Sequence, residues 1–174
     1  MTAYSVVKFG SKVLREKARP VGEISDDLRQ LVADMLNCMH AADGIGLAAE
    51  QIGRDESLCI LELPAKLRGD VNMPLVMIDP VIIDGQGETY EQEGCLSFPD
   101  IYVKVKRMAE VTAEYTDLDG KRQTITAEGL LSRAIQHELD HLNGVLLVDH
   151  MTAVQKVANA GKLKRLKRDA KRAG

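Results

Sequence analysis

Apolar residues recur at helical spacing in two parts of the chain. In the first, Ser25 and two aspartates precede a run in which every third or fourth residue is apolar. Serine is a favoured N-cap, and acidic residues in a first turn complement the helix dipole. The pattern therefore predicts an amphipathic helix that begins after Ser25 and ends near Gly44. Its apolar positions are Leu28, Leu31, Val32, Met35, Leu36 and Met39.

The second helical pattern covers residues 128–143 and is apolar around most of its circumference. At about 100° per residue, its polar side chains share one arc. That arc contains Ser132, Arg133, Gln136, Asp140 and Asn143. His137, Glu138 and His141 lie on or beside the apolar side. Because burial of unpartnered ionisable groups costs several kcal/mol, these three side chains need partners.

Between the two helices, short β-prone segments predict strands. We expect strands at 58–63, 76–83, 101–105, 110–115 and 123–127, with a turn at Asp119-Gly120 and a surface loop over 64–74. Long helices do not alternate with these strands, so a doubly wound parallel sheet is disfavoured. The pattern favours an α+β fold with antiparallel sheets.

Length and composition indicate one globular domain, residues 1–174. The chain is 45% hydrophobic and 28% charged, as is usual for globular proteins. Its longest apolar stretches are a few residues, far below the roughly 20 that cross a bilayer, so we expect no membrane association. The first residues resemble neither a secretory signal nor a transit peptide, and we therefore expect a cytoplasmic protein whose three cysteines are free thiols or metal ligands and not disulfides.

Positive charge is concentrated at the end of the chain. The net charge is −3, yet residues 155–174 contain eight Lys or Arg and one acid, Asp169. This basic tail is either a solvated helix end that suits the negative pole of the helix dipole, or a docking arm for a polyanion such as RNA.

The second helix contains the HExxH sequence HELDH at 137–141. Histidines four residues apart lie one turn apart, so both imidazoles can reach one metal ion. Glu138 can then contact a water on that metal without being a ligand. Two core histidines satisfied by hydrogen bonds are the alternative interpretation.

A metal site needs a third protein ligand. Leu147 stands where an extended zinc-protease motif requires histidine, and no glutamate follows Glu138. Asp149 and His150 remain possible downstream ligands. Upstream, Cys95 follows a flexible glycine, and its thiolate would complete a Cys/His/His set with one position open for water.

A third unusual segment is GIGLAAEQ at 44–51. Its glycines and alanines let the backbone approach another chain or a ligand, and Gln51 adds a long neutral amide. No Gly-Lys-Ser/Thr follows, which makes a phosphate-binding loop a poor interpretation.

Together, these three segments resemble the peptide deformylase family. Its signatures are GxGLAAxQ, EGCLS and QHExDHLxG, and the chain has matching sequences at 44–51, 93–97 and 136–144 in the same order and spacing. The likeness extends from 13–16 to the basic tail. It implies antiparallel sheets packed around a central buried helix that carries HExxH, with an N-terminal helix and a basic C-terminal helix.

The resemblance also implies a metal site. Cys95, His137 and His141 would bind one divalent ion, natively Fe²⁺ in the family, with Zn²⁺, Ni²⁺ or Co²⁺ as other possible occupants. Glu138 would take a proton from water and pass it to the departing amine. Gln51 and the backbone N–H of Leu96 would hold the oxyanion.

The implied substrates are N-formylmethionyl peptides and nascent chains. Such a peptide would add as a strand beside Ile45-Gly46 and the segment that ends at Gly94. Leu130 and Ala134, with Arg133 beside them, are candidates for the side-chain pocket. The basic tail at 155–174 would contact ribosomal RNA.

Two positions depart from many family members, which have Pro or Thr at Glu50 and in some cases Arg at Tyr102. Two rival functions stay open at this point. One is a zinc endopeptidase that uses Asp149 or His150 as third ligand. The other is a ribosome- or RNA-binding module with a structural metal.

Overall fold

The protein combines α-helices with antiparallel β-strands. A computed structural model describes residues 4–173, and this part of the chain contains four α-helices and seven strands. The helices are α1 (Asp26–Ala41), α2 (Gly129–Leu142), α3 (Ala153–Ala158) and α4 (Ala160–Ala173). The strands are β1 (Gly46–Ala48), β2 (Leu58–Leu61), β3 (Leu75–Gln86), β4 (Thr89–Glu93), β5 (Val103–Arg107), β6 (Glu110–Thr116) and β7 (Arg122–Glu128).

The strands form two antiparallel sheets. Five strands pair in the order β1-β2-β3-β6-β7, and β4 pairs with β5 in a second, two-stranded sheet. The predicted α+β fold with antiparallel sheets is thus confirmed. The strand expected at 101–105 begins instead at Val103, because Ile101 lies in a turn and donates its N–H to Phe98 O at 3.2 Å.

Helix α1 forms as its sequence predicts. Ser25 Oγ accepts the N–H of Leu28 at 3.2 Å, and two aspartates occupy the first turn. Its apolar face packs with β2 in one buried cluster that includes Met35 and Ile60. Helix α2 packs on the five-stranded sheet in a second buried cluster, which contains Ile135 together with residues of β3 and β6.

The polar arc of α2 is more buried than its sequence predicts. Ser132 and Gln136 are both buried, and both bond to the backbone of Met108. Gln136 Nε2 donates to Met108 O at 2.9 Å, while Gln136 Oε1 accepts the Met108 N–H at 3.0 Å. These polar side chains therefore anchor α2 to the turn between β5 and β6 instead of facing solvent.

A third buried cluster joins the N-terminal segment, the segment after β4 and the basic helix α4. Phe9 stacks on Phe98 with ring centroids 4.7 Å apart, and Leu166 of α4 is buried in the same cluster. Within residues 4–173, none of the helices has the length and apolar character that a membrane crossing requires.

Candidate metal centre

Three potential metal ligands converge from two elements. Cys95 follows the end of β4, and α2 presents His137 and His141 one turn apart. One ligand atom of each lies within 4.8 Å of the others, and Cys95 Sγ lies 3.3 Å from His141 Nε2. One thiolate and two imidazoles are donors that suit a divalent transition metal. The residues present therefore fit a single such ion.

A buried carboxylate orients the first histidine. His137 Nδ1 lies 3.2 Å from Glu93 Oε2, and because a carboxylate only accepts, Nδ1 donates and leaves Nε2 for the metal. Burial alone would raise the pKa of Glu93, but hydrogen bonds from His137 and Arg107 outweigh it and lower that pKa to about 2. Glu93 thus stays ionised.

Glu93 is itself held by a buried arginine. Arg107 donates from Nε and Nη2 to the two oxygens of Glu93, each at 3.0 Å, and from Nη1 to Asp140 Oδ2 at 2.6 Å. His150 Nε2 lies 2.7 Å from the same oxygen of Asp140. The sequence analysis did not predict that Glu93 orients His137. The position of Glu93 as the first residue of the EGCLS motif could have indicated a role for it.

The alternative third ligands lie elsewhere. Asp149 forms an ion pair with Arg15 and accepts the N–H of Leu146 at 2.8 Å. His150 is engaged by Asp140. Neither joins the histidine pair of α2, so the interpretation that used Asp149 or His150 to complete the metal site is not favoured.

The amide of Gln51 is fixed beside the cluster. Its Oε1 accepts the N–H of Ala48 at 3.0 Å. Its Nε2 donates to Ser97 Oγ at 3.1 Å and lies 3.6 Å from Cys95 Sγ. The side chain is buried, and these contacts hold its NH₂ group close to the ligand atoms.

Glu138 is a buried carboxyl group next to the candidate ligands. Only 4% of the residue is exposed, and its Oε2 has no hydrogen-bond partner among the described residues. Burial raises the pKa of Glu138 to about 7. A Cβ on Gly46 would lie 2.4 Å from Glu138 Oε1, so glycine is required there for this carboxyl group to keep its place.

An open groove of about 720 Å³ runs over these groups. The sequence-predicted residues along its walls are Ile45, Gly46, Gln51, Gly94, Cys95, Leu96, Leu130, Arg133, Ala134, His137 and Glu138. His141 lies below them and is 1% exposed. Tyr102 stands at the rim with 65% of its surface exposed, and its ring covers Gly94.

Glu50, at a position where many family members have Pro or Thr, is a second buried carboxyl group. It is 1% exposed, and neither oxygen has a hydrogen-bond partner among the described residues. Burial raises its pKa to about 8, and the charge of Glu138 adds to the shift. Glu50 is therefore protonated near neutral pH in the folded protein.

Glu50→Gln should change how stability depends on pH. In the unfolded chain Glu50 ionises at the ordinary pKa of a glutamate, 4.5, whereas folded Glu50 keeps its proton to about pH 8. Stability is therefore lost as pH rises through this window, by up to about 5 kcal/mol at about 1.4 kcal/mol per pKa unit. Urea unfolding at pH 5 and pH 8.5 should show Glu50→Gln gaining several kcal/mol relative to wild type.

The exposed Glu16 provides a matched control for this comparison. Glu16→Gln should keep the same stability difference from wild type at both pH values. A Glu50→Gln difference that is equally independent of pH would contradict the neutral state of buried Glu50.

Comparisons with known proteins agree with this geometry. The family model described as polypeptide deformylase matches residues 3–157. A peptide deformylase of Rhizobium meliloti is 43% identical over 157 residues, which cover 90% of this chain and 89% of that protein. A peptide deformylase of Endomicrobium trichonymphae is 39% identical over 168 residues, which cover 97% of this chain and 98% of that protein.

Solved structures show the same likeness. A peptide deformylase from Synechococcus elongatus, crystallised with actinonin, superposes with a TM-score of 0.86 at 41% identity, covering 93% of this chain and 89% of that one. The peptide deformylase from Thermus thermophilus superposes with a TM-score of 0.87 at 35% identity, covering 97% of this chain and 99% of that one. By sequence and by structure, this chain belongs to the polypeptide deformylase family.

Proposed function

We propose that this chain is a metal-dependent hydrolase that removes the N-formyl group from the initiator N-formylmethionine of nascent polypeptides and releases formate. One observation carries the proposal: Cys95, His137 and His141 converge at the floor of a groove that also contains Glu138. Family membership supports the same activity. The groove is open, as entry of a peptide end requires.

The metal would be held by the thiolate of Cys95 and the imidazoles of His137 and His141. We propose Fe²⁺ as the native ion, with Zn²⁺, Ni²⁺ and Co²⁺ as ions that the same donors accept. A divalent ion supplies a Lewis acid that polarises the formyl carbonyl and lets water ionise near neutral pH. Glu93 keeps His137 in the tautomer that such binding needs.

Glu138 would move the proton. Its unpartnered Oε2 can take a proton from the attacking water and then deliver it to the departing amine nitrogen. A raised pKa near 7 suits both steps at neutral pH, because the group accepts and releases protons with little cost there.

Gln51 and Leu96 would stabilise negative charge on the formyl oxygen. The Gln51 NH₂ group and the backbone N–H of Leu96 are the proposed donors, and loss of one such donor typically costs about 10²- to 10³-fold in rate. The peptide would extend as a strand along Ile45-Gly46 and Gly94. Its methionine side chain would face Leu130 and Ala134.

The direct experiment is a formate-release assay on a formyl-Met-Ala-Ser peptide with protein prepared without oxygen. We expect formate and free amino groups to appear in equal amounts. The unformylated peptide and longer unformylated peptides should remain uncut. Internal cleavage without formate release would instead indicate an endopeptidase, and binding without turnover would indicate a structural metal.

We also propose that residues 1–174 act as one catalytic domain in the cytoplasm, whose basic tail at 155–174 docks on ribosomal RNA. Burial of Leu166 beside Phe9 ties α4 to the rest of the fold. Along α4 the cationic side chains are mostly exposed, as contact with phosphates requires. If the chain is one domain, it should unfold in a single cooperative transition. If it is cytoplasmic, cell fractionation should recover it with the cytoplasm.

Ribosome binding should depend steeply on salt. Each cation that contacts phosphate releases a counterion, so affinity should fall by orders of magnitude between about 50 and 200 mM salt. Replacing Lys164, Arg168 and Lys171 by Gln should weaken co-sedimentation with ribosomes and leave formate release from a short peptide unchanged. Equal co-sedimentation of this variant and wild type would contradict docking through the tail.

A further inference from the structure

The N-terminal segment Val7–Phe9 forms hydrogen bonds with two chain segments of the candidate site, one at Gln51 and one at Leu96 and Ser97. The N–H of Val7 donates to Gln51 O at 2.7 Å, and the N–H of Phe9 donates to Ser97 O at 2.9 Å. Between them, Lys8 Nζ donates to Leu96 O at 2.8 Å. Three consecutive residues thus hold the two chain segments that flank the candidate metal ligands.

These two segments carry the two proposed oxyanion donors. Gln51 belongs to the short 3-10 turn Ala49–Ile52, and Leu96 directly follows Cys95. They are 45 positions apart in sequence, and the Gln51 Nε2 bond to Ser97 Oγ is a direct side-chain contact between them. Donors that stabilise a developing charge must be held at fixed distances, and displacements of about 1 Å can cost about 100-fold in rate.

Lys8 differs from its two neighbours in the kind of hydrogen bond that it makes to these segments. The hydrogen bonds of Val7 and Phe9 are donated by the backbone, so any residue except proline could make them at those positions. The Phe9 ring also stacks on Phe98, but among the three residues it is Lys8 that makes a side-chain hydrogen bond: its ammonium group binds the carbonyl of Leu96, the residue whose N–H is a proposed donor. A hydrogen bond with a charged partner is stronger than a neutral one.

From these contacts we propose that Lys8 is a positioning residue for deformylation: by binding the Leu96 carbonyl, it restrains the residue whose N–H is the proposed donor and keeps that N–H at the correct distance from the Gln51 amide. The inference rests on the proposed function and assigns no contact between Lys8 and the reacting atoms. Because Lys8 also lines the groove, the rival role is direct binding of the peptide substrate.

The two roles differ in the kinetic constant that they affect. A positioning residue acts on the transition state, so its loss lowers kcat, whereas a substrate contact changes KM. Lys8→Met keeps the length of the stem and removes the ammonium group. Lys8→Arg keeps a cationic donor. Lys12→Met, at an exposed lysine nearby, controls for loss of one positive charge.

We expect Lys8→Met to lower kcat for formyl-Met-Ala-Ser about tenfold with KM changed less than twofold and the metal content unchanged. Lys8→Arg should restore most of kcat, and Lys12→Met should match wild type. Amide hydrogen exchange, which does not depend on turnover, should be faster at 95–98 in Lys8→Met alone.

A raised KM with unchanged kcat would overturn the proposal in favour of a substrate contact. Wild-type kcat together with wild-type exchange in Lys8→Met would overturn it as well. Failure of wild-type protein to release formate would refute the proposed function itself, and this outcome is distinct because it requires no variant.

Discussion

Glu138→Gln should lower formate release by about 10³-fold and leave the metal in place. Glutamine has the shape of glutamate but cannot take a proton, and positioned acid–base groups typically contribute about 10²- to 10⁴-fold. The side chain is buried at the floor of the groove, so no other carboxylate from solvent can replace it. The measurement is kcat for a formyl-Met peptide, with metal content determined by elemental analysis.

The matched control for this variant is Glu50→Gln. Glu50 is also buried and also lacks hydrogen-bond partners among residues 4–173, but it is absent from the groove lining. We expect its kcat to stay within a few-fold of wild type. Turnover at the wild-type rate in Glu138→Gln would remove the carboxylate from the mechanism.

Cys95→Ala should lose the metal and, with it, at least about 10³-fold of the activity. Removal of one of the three proposed ligands would leave two imidazoles, which hold a divalent ion far more weakly. Metal content after dialysis and formate release should therefore fall together. An endopeptidase that used downstream ligands would be indifferent to this change.

Cys38→Ala is the control for removal of a thiol. Cys38 is buried in the cluster of α1 and does not line the groove, so this variant should retain its metal even if its stability falls. Full metal occupancy in Cys95→Ala would contradict the assignment of Cys95 as a ligand.

Periodicity predicted those elements whose own residues decide their structure. The N-cap and the apolar face of helix α1 are formed by residues that lie close together in the sequence. Strands such as β6 alternate between buried and partly exposed residues over part of their length. Strand β4 was not predicted, because most of its side chains are polar and exposed and give no apolar alternation. Strand β1 was missed because glycine and alanine give no clear alternation.

The candidate site was predictable to the extent that local motifs carry it. Spacing within 137–141 places two imidazoles on one helix turn, but the fold alone brings Cys95 to them. The buried network of Glu93, Arg107 and Asp140 joins three distant positions, and no local pattern marks such pairings. The bond from Lys8 to Leu96 is non-local in the same way.

X-ray absorption at the edge of the bound metal, on protein loaded without oxygen, would identify the atoms that coordinate the ion. We expect one sulfur and two imidazole nitrogens as the protein ligands, with the sulfur absent in Cys95→Ala. A coordination sphere without sulfur in the wild-type protein, or one closed by a fourth protein side chain, would contradict this expectation.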